Sequence, residues 1–275
     1  MPVISTNTAA NAALNYLNIN SSNETESIAQ LASGSRIVQA KDDAAGLAIG
    51  TQLDANVTVF QEDEVNVAQG TSILQSTDGA LAQVSNVLAR MLSLATESAS
   101  GQVTDTQRSQ DINTEYQQLR GEISSIVSST TYAGNSLLTG SFLSNVKFLI
   151  GTQSSNFISV SLKTVNTTTL LGASGSTVST AASALKAIGG VNSAINTITK
   201  DRALVGAYES QFNFSGQDIA TNVQNISSAA SVIMDADVAQ VKSSLSAQDV
   251  KTQAAIAALT QASQLPQELL HLLQS

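Results

Sequence analysis

The segment from Leu31 to Gly50, LASGSRIVQAKDDAAGLAIG, limits what this chain can fold into more than any other stretch. It begins with small residues and Gly34, at which a helix is easily interrupted. Asp42 and Asp43 follow, and acidic residues favour the first turn of a new helix because they complement its dipole. Most residues after them are alanine or glycine, which let other backbones come close. The sequence therefore predicts a tight junction between two helices.

The composition favours long helices packed through small side chains over a compact catalytic domain. Aromatic residues make up 4% of the 275 residues and charged residues 12%, whereas a typical enzyme core holds more aromatic side chains. The absence of cysteine excludes disulfides, thiolate metal sites and a cysteine nucleophile, and the single histidine is His271. HExxH and Walker-type motifs are also absent. We expect no enzyme, no catalytic residue, no metal and no cofactor.

Three acidic clusters could in principle bind a metal ion or share a proton. They are Asp42 with Asp43, Glu62 with Asp63 and Glu64, and Asp235 with Asp237. None has the spacing of a calcium-binding loop or a nearby histidine ligand. Compensation of a helix dipole, or a solvated helix face, explains all three more simply.

The net charge of −9 argues against nucleic acid as a partner, because binding to phosphates requires a basic face. No apolar run is long enough for a membrane span, so no membrane insertion is expected. The first residues lack the basic and apolar regions of a secretory signal peptide. Taken alone, these features would indicate a cytoplasmic protein.

Heptad-like apolar spacing predicts two antiparallel helices joined by a turn near Gly101. The first seam is Leu81, Val84, Leu88, Met91 and Ala95, and the second is Ile112, Tyr116, Leu119, Ile123 and Ile126. A third stripe is Leu185, Ile188, Val191, Ile195 and Ile198, followed by a long helix that reaches Ile233. We expect breaks in the helical pattern near Gly70 and Gly79, and a loosened stretch over the polar residues 18–23.

The middle of the chain has a different character. Val146, Phe148 and Ile150 alternate with other residues, as do Ile158, Val160 and Leu162, which predicts a β-hairpin. In the turn-rich stretch before it, Gly134, Asn135 and Gly140 are suited to positive φ. Residues 164–180 are rich in Ser, Thr and Gly, and we interpret them as an exposed connection.

Both ends of the chain have apolar stripes and no domain of their own to pack against. The stripes are Ala10, Ala13, Leu14 and Leu17 near the start, and Ala258, Ala262, Leu265, Leu269 and Leu272 near the end. A helix of this kind is marginal alone in water, so it should pair with the other terminus and with neighbouring subunits. The alternative is an ordinary amphipathic helix packed on its own domain.

The predicted fold is mainly α: a long antiparallel helical rod with terminal coiled-coil helices and a small central β-hairpin region. Residues 1–40 with 236–275 would form the terminal coiled coil, and residues 41–140 with 181–235 the helical rod. Residues 141–180 would hold the hairpin and the exposed connection.

Several segments resemble the bacterial flagellins, the subunits of the flagellar filament. SGSRI and AKDDAAGLAIG are similar to the family's N-terminal signature, and ISTNTAANAALNYLN to its first residues. TYAGNSLLTGSF resembles a family turn motif with Tyr132, Ala133 and Asn135 altered. NVQNISSAASVIMDADVAQ and ALTQASQLPQELLHLLQS resemble the two closing segments, with Asp235 and Asp237 in register. The resemblance covers nearly the whole chain, which has a short middle with little or no separate outer domain.

The resemblance implies a structural subunit that self-assembles into the extracellular filament used for swimming motility. Its partners would be itself as a helical homopolymer, the flagellar export apparatus, an export chaperone bound around residues 241–273, and junction and cap proteins. Flagellins leave the cell without a cleaved signal, which overrides the cytoplasmic interpretation. For the filament core we expect the inner coil to use Leu14, Leu17, Leu259, Leu265, Leu269 and Leu272.

Some flagellins are sensed by a Toll-like receptor through a motif in the first rod helix. Arg90 and Leu94 match that motif, but Leu92 and Ser93 replace a charged pair. Because charge-assisted bonds that could anchor an interface are lost, we expect weak or absent receptor activation.

Two other functions stay open on the sequence alone. A hook–filament junction protein shares the terminal patterns, although AKDDAAGLAI and the LPQELL ending favour a flagellin. A flagellin-like surface module that binds polysaccharide would need aromatic platforms, and residues 141–180 offer only Phe142, Phe148 and Phe157.

Overall fold

The computed structural model describes residues 7–139, 142–172 and 177–274, and the side chains of these residues up to position 264. Its long helices are α1 (Thr8–Ser33), α2 (Ala44–Ala99), α4 (Asn113–Ser129), α6 (Ala181–Met234) and α7 (Val238–Gln274). Its short helices are α3 (Asp105–Gln107) and α5 (Thr167–Leu171), and a π-helical turn, Arg108–Ile112, leads into α4. The strands are β1 (Thr131–Tyr132), β2 (Asn135–Ser136), β3 (Val146–Leu149) and β4 (Phe157–Val160). The prediction of a mainly helical chain with a small β-hairpin is confirmed.

The chain divides into two compact units. The terminal unit comprises residues up to Asn56 and from Asn225 onward, and the central unit is Val57–Gln224. Both α2 and α6 begin in one unit and end in the other. The three-part functional division predicted from the sequence stays a prediction. No helix in the described ranges is both long and apolar enough to cross a bilayer.

The core of the central unit follows the two predicted heptad seams. All five residues of the α2 seam are buried, as are Ile112, Tyr116 and Ile123 of the second, and Leu119 and Ile126 pack beside them. The chain turns between α2 and α4 near Gly101, so the prediction of two helices joined by a turn is confirmed. Such seams bury apolar side chains continuously along the helix, which is the main source of stability of long helices.

Helix α2 passes Gly70 and Gly79 without interruption, so the predicted breaks there are wrong. Gly70 is buried where the ring of Phe212 meets α2, and a Cβ at Gly70 would lie 2.5 Å from Cε1 of that ring. Glycine costs a helix about 1 kcal/mol relative to alanine. Close contact with a large buried ring offsets that cost at Gly70, whereas Gly79 has open space around it.

The buried stripe of α6 lies one residue away from part of the predicted one. Leu185 is 64% exposed, while Ala184, Ala187, Val191, Ala194 and Ile198 are fully buried. The alanines let α6 approach its neighbours more closely than Leu185, Ile188 and Ile195 would allow. Apolar spacing therefore predicted the position of α6 correctly. The choice of large apolar residues over alanines placed its buried stripe too far to one side.

The central β-region confirms the predicted hairpin. In it β3 pairs antiparallel with β4, with Phe148 opposite Ile158. The Phe148 ring meets Phe212 edge-on, with the centroids 5.2 Å apart, and so joins the hairpin to α6. The smaller β1–β2 turn has positive φ at Gly134, as predicted, and also at Ala133, which was not predicted. Asn135 has no positive φ, so the expectation for it is wrong, and Gly140 lies outside the described residues.

The Ser/Thr-rich stretch at 164–180 is less exposed than predicted. Helix α5 forms within it, and Val165, Leu170, Leu171 and Val178 are buried in the central core. Asn166 caps α5, since its side-chain oxygen accepts a bond from Thr169 N at 2.6 Å. Four apolar residues in a polar background are enough to hold this segment against the central core. Residues 173–176 lie outside the described ranges.

Within the acidic cluster on α2, Glu62 and Glu64 are exposed as predicted, but Asp63 is only 1% exposed. One oxygen of Asp63 has no hydrogen-bond partner. Burial raises the pKa of Asp63, and the hydrogen bond with Asn66 opposes that shift in part. The neutral form therefore favours folding, and this contribution is lost as the pH rises through the raised pKa.

We expect Asp63→Asn to stabilise the folded chain at pH 7, where an ionised Asp63 is buried and incompletely bonded. The gain should be about 1–2 kcal/mol in unfolding free energy, the order of one unsatisfied buried group. It should shrink at pH 3, where Asp63 is already neutral. Urea denaturation at both pH values measures this, with Glu64→Gln on the exposed neighbour as control. Equal effects of the two substitutions at pH 7 would refute the prediction.

Candidate assembly site of the terminal segments

Helices α1 and α7 pack against each other in antiparallel orientation. At one end the side-chain amide of Asn7 donates to the carbonyl of Ala262 at 2.6 Å, and further along Ser27 Oγ donates to Gln248 Oε1 at 3.2 Å. Asn7 also caps α1, since its Oδ1 accepts a bond from Ala10 N. Helix α1 is continuous, so the loosening predicted for residues 18–23 is wrong. Pairing with α7 offsets the weak helix propensity of that polar stretch.

The shielded side chains of both helices follow heptad spacing. On α1 the seam is Ala10, Ala13, Leu17, Asn20, Glu24, Ser27 and Leu31. On α7 it is Val241, Leu245, Gln248, Thr252, Ala255, Leu259 and Ala262. These alternations of three and four residues are those of a coiled coil. Polar residues occupy the middle of both seams, and small or apolar residues occupy both ends.

The structure places the predicted assembly leucines in three situations. Leu17 and Leu259 are half-buried in the α1–α7 seam. Leu14 lies outside the seam and is 46% exposed. Leu265, Leu269 and Leu272 belong to α7, but their side chains lie outside the described residues.

The terminal unit leaves many apolar side chains in water. On α1 Tyr16 is 65% exposed and Ile19 and Ile28 about half so, and on α7 Val250 and Ile256 are also exposed. Among its described residues the buried hydrophobic ones are Ile37, Ala230 and Ala262, whereas the contiguous core lies in the central unit. Exposed apolar surface of this kind is typical of surfaces that another protein covers.

The predicted helix junction is confirmed. Helix α1 ends at Gly34, whose φ of 71° is a left-handed conformation that favours glycine. Asp43 precedes α2 and caps it, with its Oδ1 accepting a bond from Gly46 N at 2.8 Å. Asp42 closes the connecting loop by accepting bonds from Val38 N and Gln39 N. The two aspartates thus lie just before the first turn rather than within it.

This junction is bonded directly to the connection between α6 and α7. Gly34 O accepts a bond from Ala236 N at 2.9 Å, and Arg36 N donates to the carbonyl of Met234 at 2.7 Å. The Arg36 guanidinium donates twice to the carbonyl of Ile233, at 2.7 and 3.1 Å. The loop after α1 and the segment around Met234 are far apart in the chain, yet these bonds join them into one structure.

Two glycines allow the close packing at this junction. A Cβ on Gly46 would lie 2.8 Å from Cγ of Asp43 and 2.9 Å from Cδ1 of Ile37. A Cβ on Gly50 would overlap the side chain of Met234, with Cγ 2.5 Å away. Distances below 3.0 Å are not tolerated by real Cβ atoms. Steric crowding thus explains why AKDDAAGLAIG has glycine at positions 46 and 50.

Sequence reasoning missed the role of Arg36, Gly50 and Met234, and the polar residues of the α1–α7 seam. The seam could have been found from heptad spacing if polar residues had been counted with apolar ones. The bonds of Arg36 with Ile233 and Met234 join positions at least 197 residues apart, and no local pattern predicts them.

Arg90 and Leu94, the residues that match the receptor motif, differ in exposure. Arg90 is exposed and pairs with Glu115, with Nη2 and Oε1 2.7 Å apart. Leu94 is 2% exposed and belongs to the central core. The described ranges contain no cluster of three or more potential metal-ligating side chains. Together, the exposed apolar faces and the bonded junction are typical of a structural protein.

Comparison with known proteins supports the same class. The family model of the bacterial flagellin N-terminal helical region matches residues 4–142, and that of the C-terminal helical region matches residues 188–273. The chain therefore belongs to the bacterial flagellin family. It is a structural subunit of the flagellar filament, and a junction protein or polysaccharide-binding module is not favoured.

Individual relatives span almost the whole chain. It is 31% identical to a flagellar filament 30.7 kDa core protein of Treponema maltophilum, with 98% of this chain and 99% of that protein covered. It is also 31% identical to a flagellin of Listeria monocytogenes, with 99% of each covered. The crystal structure of Bacillus cereus flagellin superposes with a TM-score of 0.51 at 27% identity, covering 60% of this chain and 94% of that one.

Proposed function

We propose that this chain polymerises into the extracellular flagellar filament by packing its α1–α7 pair against the same pair of other copies. The observation that carries this proposal is the exposure of Tyr16, Ile19, Val250 and Ile256 on a helix pair that buries little of its own apolar surface. Further copies would remove those side chains from water, at roughly 25 cal/mol for each Å² of apolar surface buried.

Repeated contacts between different surfaces of identical subunits produce an open helix rather than a closed ring. The inner coil uses Leu14, Leu17 and Leu259, and with them Leu265, Leu269 and Leu272. Leu14 faces neighbouring copies, whereas Leu17 and Leu259 hold the pair together; their exposure supports this division. Residues 1–40 with 236–275 form the filament core, residues 41–140 with 181–235 the rod, and residues 141–180 the outer hairpin region.

We propose further partners beyond the homopolymer, as the resemblance to flagellins implies. The chain leaves the cell through the flagellar export apparatus without a cleaved signal, and an export chaperone binds around residues 241–273. Exposed apolar side chains such as Val250 support such a chaperone, because they need cover before assembly. Junction and cap proteins contact the two ends of the filament.

We also propose weak or absent activation of the innate receptor. Leu94, one of the two residues that match the receptor motif, is buried in the central core. Arg90 is exposed, but its guanidinium is already paired with Glu115. A receptor would have to compete with that ion pair and would not reach Leu94.

Adding a charge to the exposed apolar face should block polymerisation. We expect Leu14→Glu to raise the critical concentration for filament growth at least tenfold, because a carboxylate would be buried against a neighbouring copy. Asn15→Glu, on the adjacent exposed polar position of the same helix, adds the same charge and should polymerise nearly as wild type. Light scattering across protein concentrations measures both. Equal polymerisation of the two variants would exclude Leu14 from the interface.

A further inference from the structure

The middle of the α1–α7 seam is polar on both helices. Ser27, 6% exposed, donates to Gln248 Oε1 at 3.2 Å, and Thr252 Oγ1 donates to Glu24 Oε2 at 3.4 Å. We call these four side chains the polar layer. Each occupies a heptad position at which a coiled coil normally holds an apolar residue.

The two hydrogen bonds are long for O–H···O geometry, so they add little stability. Apolar residues at the same positions would bury more hydrophobic surface. The polar layer therefore costs stability relative to an apolar seam. Its effect lies instead in the alternative registers of the two helices that it disfavours. A polar residue at a single core position is known to fix coiled-coil register in this way.

Displacing the two helices by one heptad would break every polar match. Glu24, which now faces Thr252, would face Leu245 or Leu259, and Ser27 would face Val241 or Ala255. The buried Ser27 and the half-buried Glu24, Gln248 and Thr252 would then lie against apolar or small side chains without a partner. Leaving such groups unpaired costs more than the loss of a weak bond. Outside the layer, the bond from Asn7 to Ala262 O and the bonds at the Gly34 junction hold only the two ends of the pair. Along the seam between them, the small and apolar residues give no comparable discrimination.

We infer that the polar layer is a specificity-determining element that fixes the register of α1 against α7, and so the alignment of apolar faces presented to other copies. The inference rests on the proposed assembly through the α1–α7 pair. A shift of one heptad moves one face by about 10 Å along the other, at 1.5 Å per residue. Contacts repeated along a filament require one register in every subunit.

The sharpest test moves half of the layer by one heptad without changing the composition. The relocated variant carries Gln248→Ala, Ala255→Gln, Thr252→Leu and Leu259→Thr. Its matches with Ser27 and Glu24 form only when α7 is displaced by seven residues. A control variant with Asn15→Leu and Gln261→Leu changes the exposed faces of the same helices.

Register is measured by spin labels on Ser22→Cys and Gln253→Cys, two exposed positions in a chain without cysteine. Labelled subunits are diluted into unlabelled filaments, and double electron–electron resonance gives the distance distribution. We expect one distance in the wild type and control, and a distance displaced by up to about 10 Å in the relocated variant. Exclusion of the relocated variant from filaments that admit the control, with an unchanged thermal melt of the central unit, supports the same conclusion.

A relocated variant that gives the wild-type distance would overturn the inference, because register would then not depend on the polar layer. Failure of the labelled wild type to enter any filament is a different result. It would count against the proposed assembly through the α1–α7 pair, on which the inference rests, and the two failures are therefore distinguishable.

Discussion

Replacing Phe212 by alanine should lower the free energy of unfolding of the central unit by about 3–5 kcal/mol. The Phe212 ring is fully buried, contacts Gly70 of α2, and meets the Phe148 ring edge-on at 5.2 Å. Its removal would leave a cavity where α2, α6 and the hairpin meet. Urea denaturation followed by circular dichroism measures the change.

Phe214 provides a matched control two positions further along the same helix. It is 72% exposed, and its truncation should change stability by no more than about 0.5 kcal/mol. Both substitutions remove the same atoms from the same helix, so the difference between them isolates burial. If Phe214→Ala cost as much as Phe212→Ala, the assignment of the inner face of α6 would be wrong.

Gly50→Val should reduce assembly by distorting the helix junction. A Cβ at Gly50 would lie 2.5 Å from Met234 Cγ, and the carbonyl of Met234 accepts the bond from Arg36 N. Overpacking of this kind costs about 1–3 kcal/mol, which corresponds to a rise of roughly 5- to 150-fold in the critical concentration. Polymerisation assays across concentrations measure the rise.

A second substitution tests the steric cause. Met234→Ala in the Gly50→Val background removes the atoms that would overlap, and assembly should recover in part. Gly79→Val introduces the same β-branched residue into the same helix at a position with open space, and it should assemble almost as wild type. Equal defects in both valine variants would point to helix propensity rather than to the junction.

Local sequence patterns were sufficient for most of the fold. Apolar spacing located α2, α4 and the hairpin because each buries a repeating face, and the small residues around Gly34 marked the end of α1. Interruptions were harder to predict. Gly70 was expected to break α2, but a glycine in contact with a distant ring stabilises packing, and that ring is 142 positions away in the sequence.

The candidate site was predictable in part. The stretch from Leu31 to Gly50 pointed to a junction, but nothing local indicates that its partner is the segment around Met234. Helix propensity alone predicts a weak stretch of α1 at the polar residues 18–23, because it takes no account of a partner helix. Once α7 is present, Asn20 becomes part of a continuous seam. Long-range partners, rather than local preferences, decided these positions.

Assembly of this chain should depend on its terminal segments. Negative-stain electron microscopy of the full chain, beside a variant lacking residues 241–275, measures that dependence. The variant keeps the central unit and α1 but loses nearly all of α7, and with it the partner of α1. We expect long helical filaments from the full chain and only monomers from the variant. Filaments from the variant, or a full chain that stays monomeric even with filament seeds, would contradict that expectation.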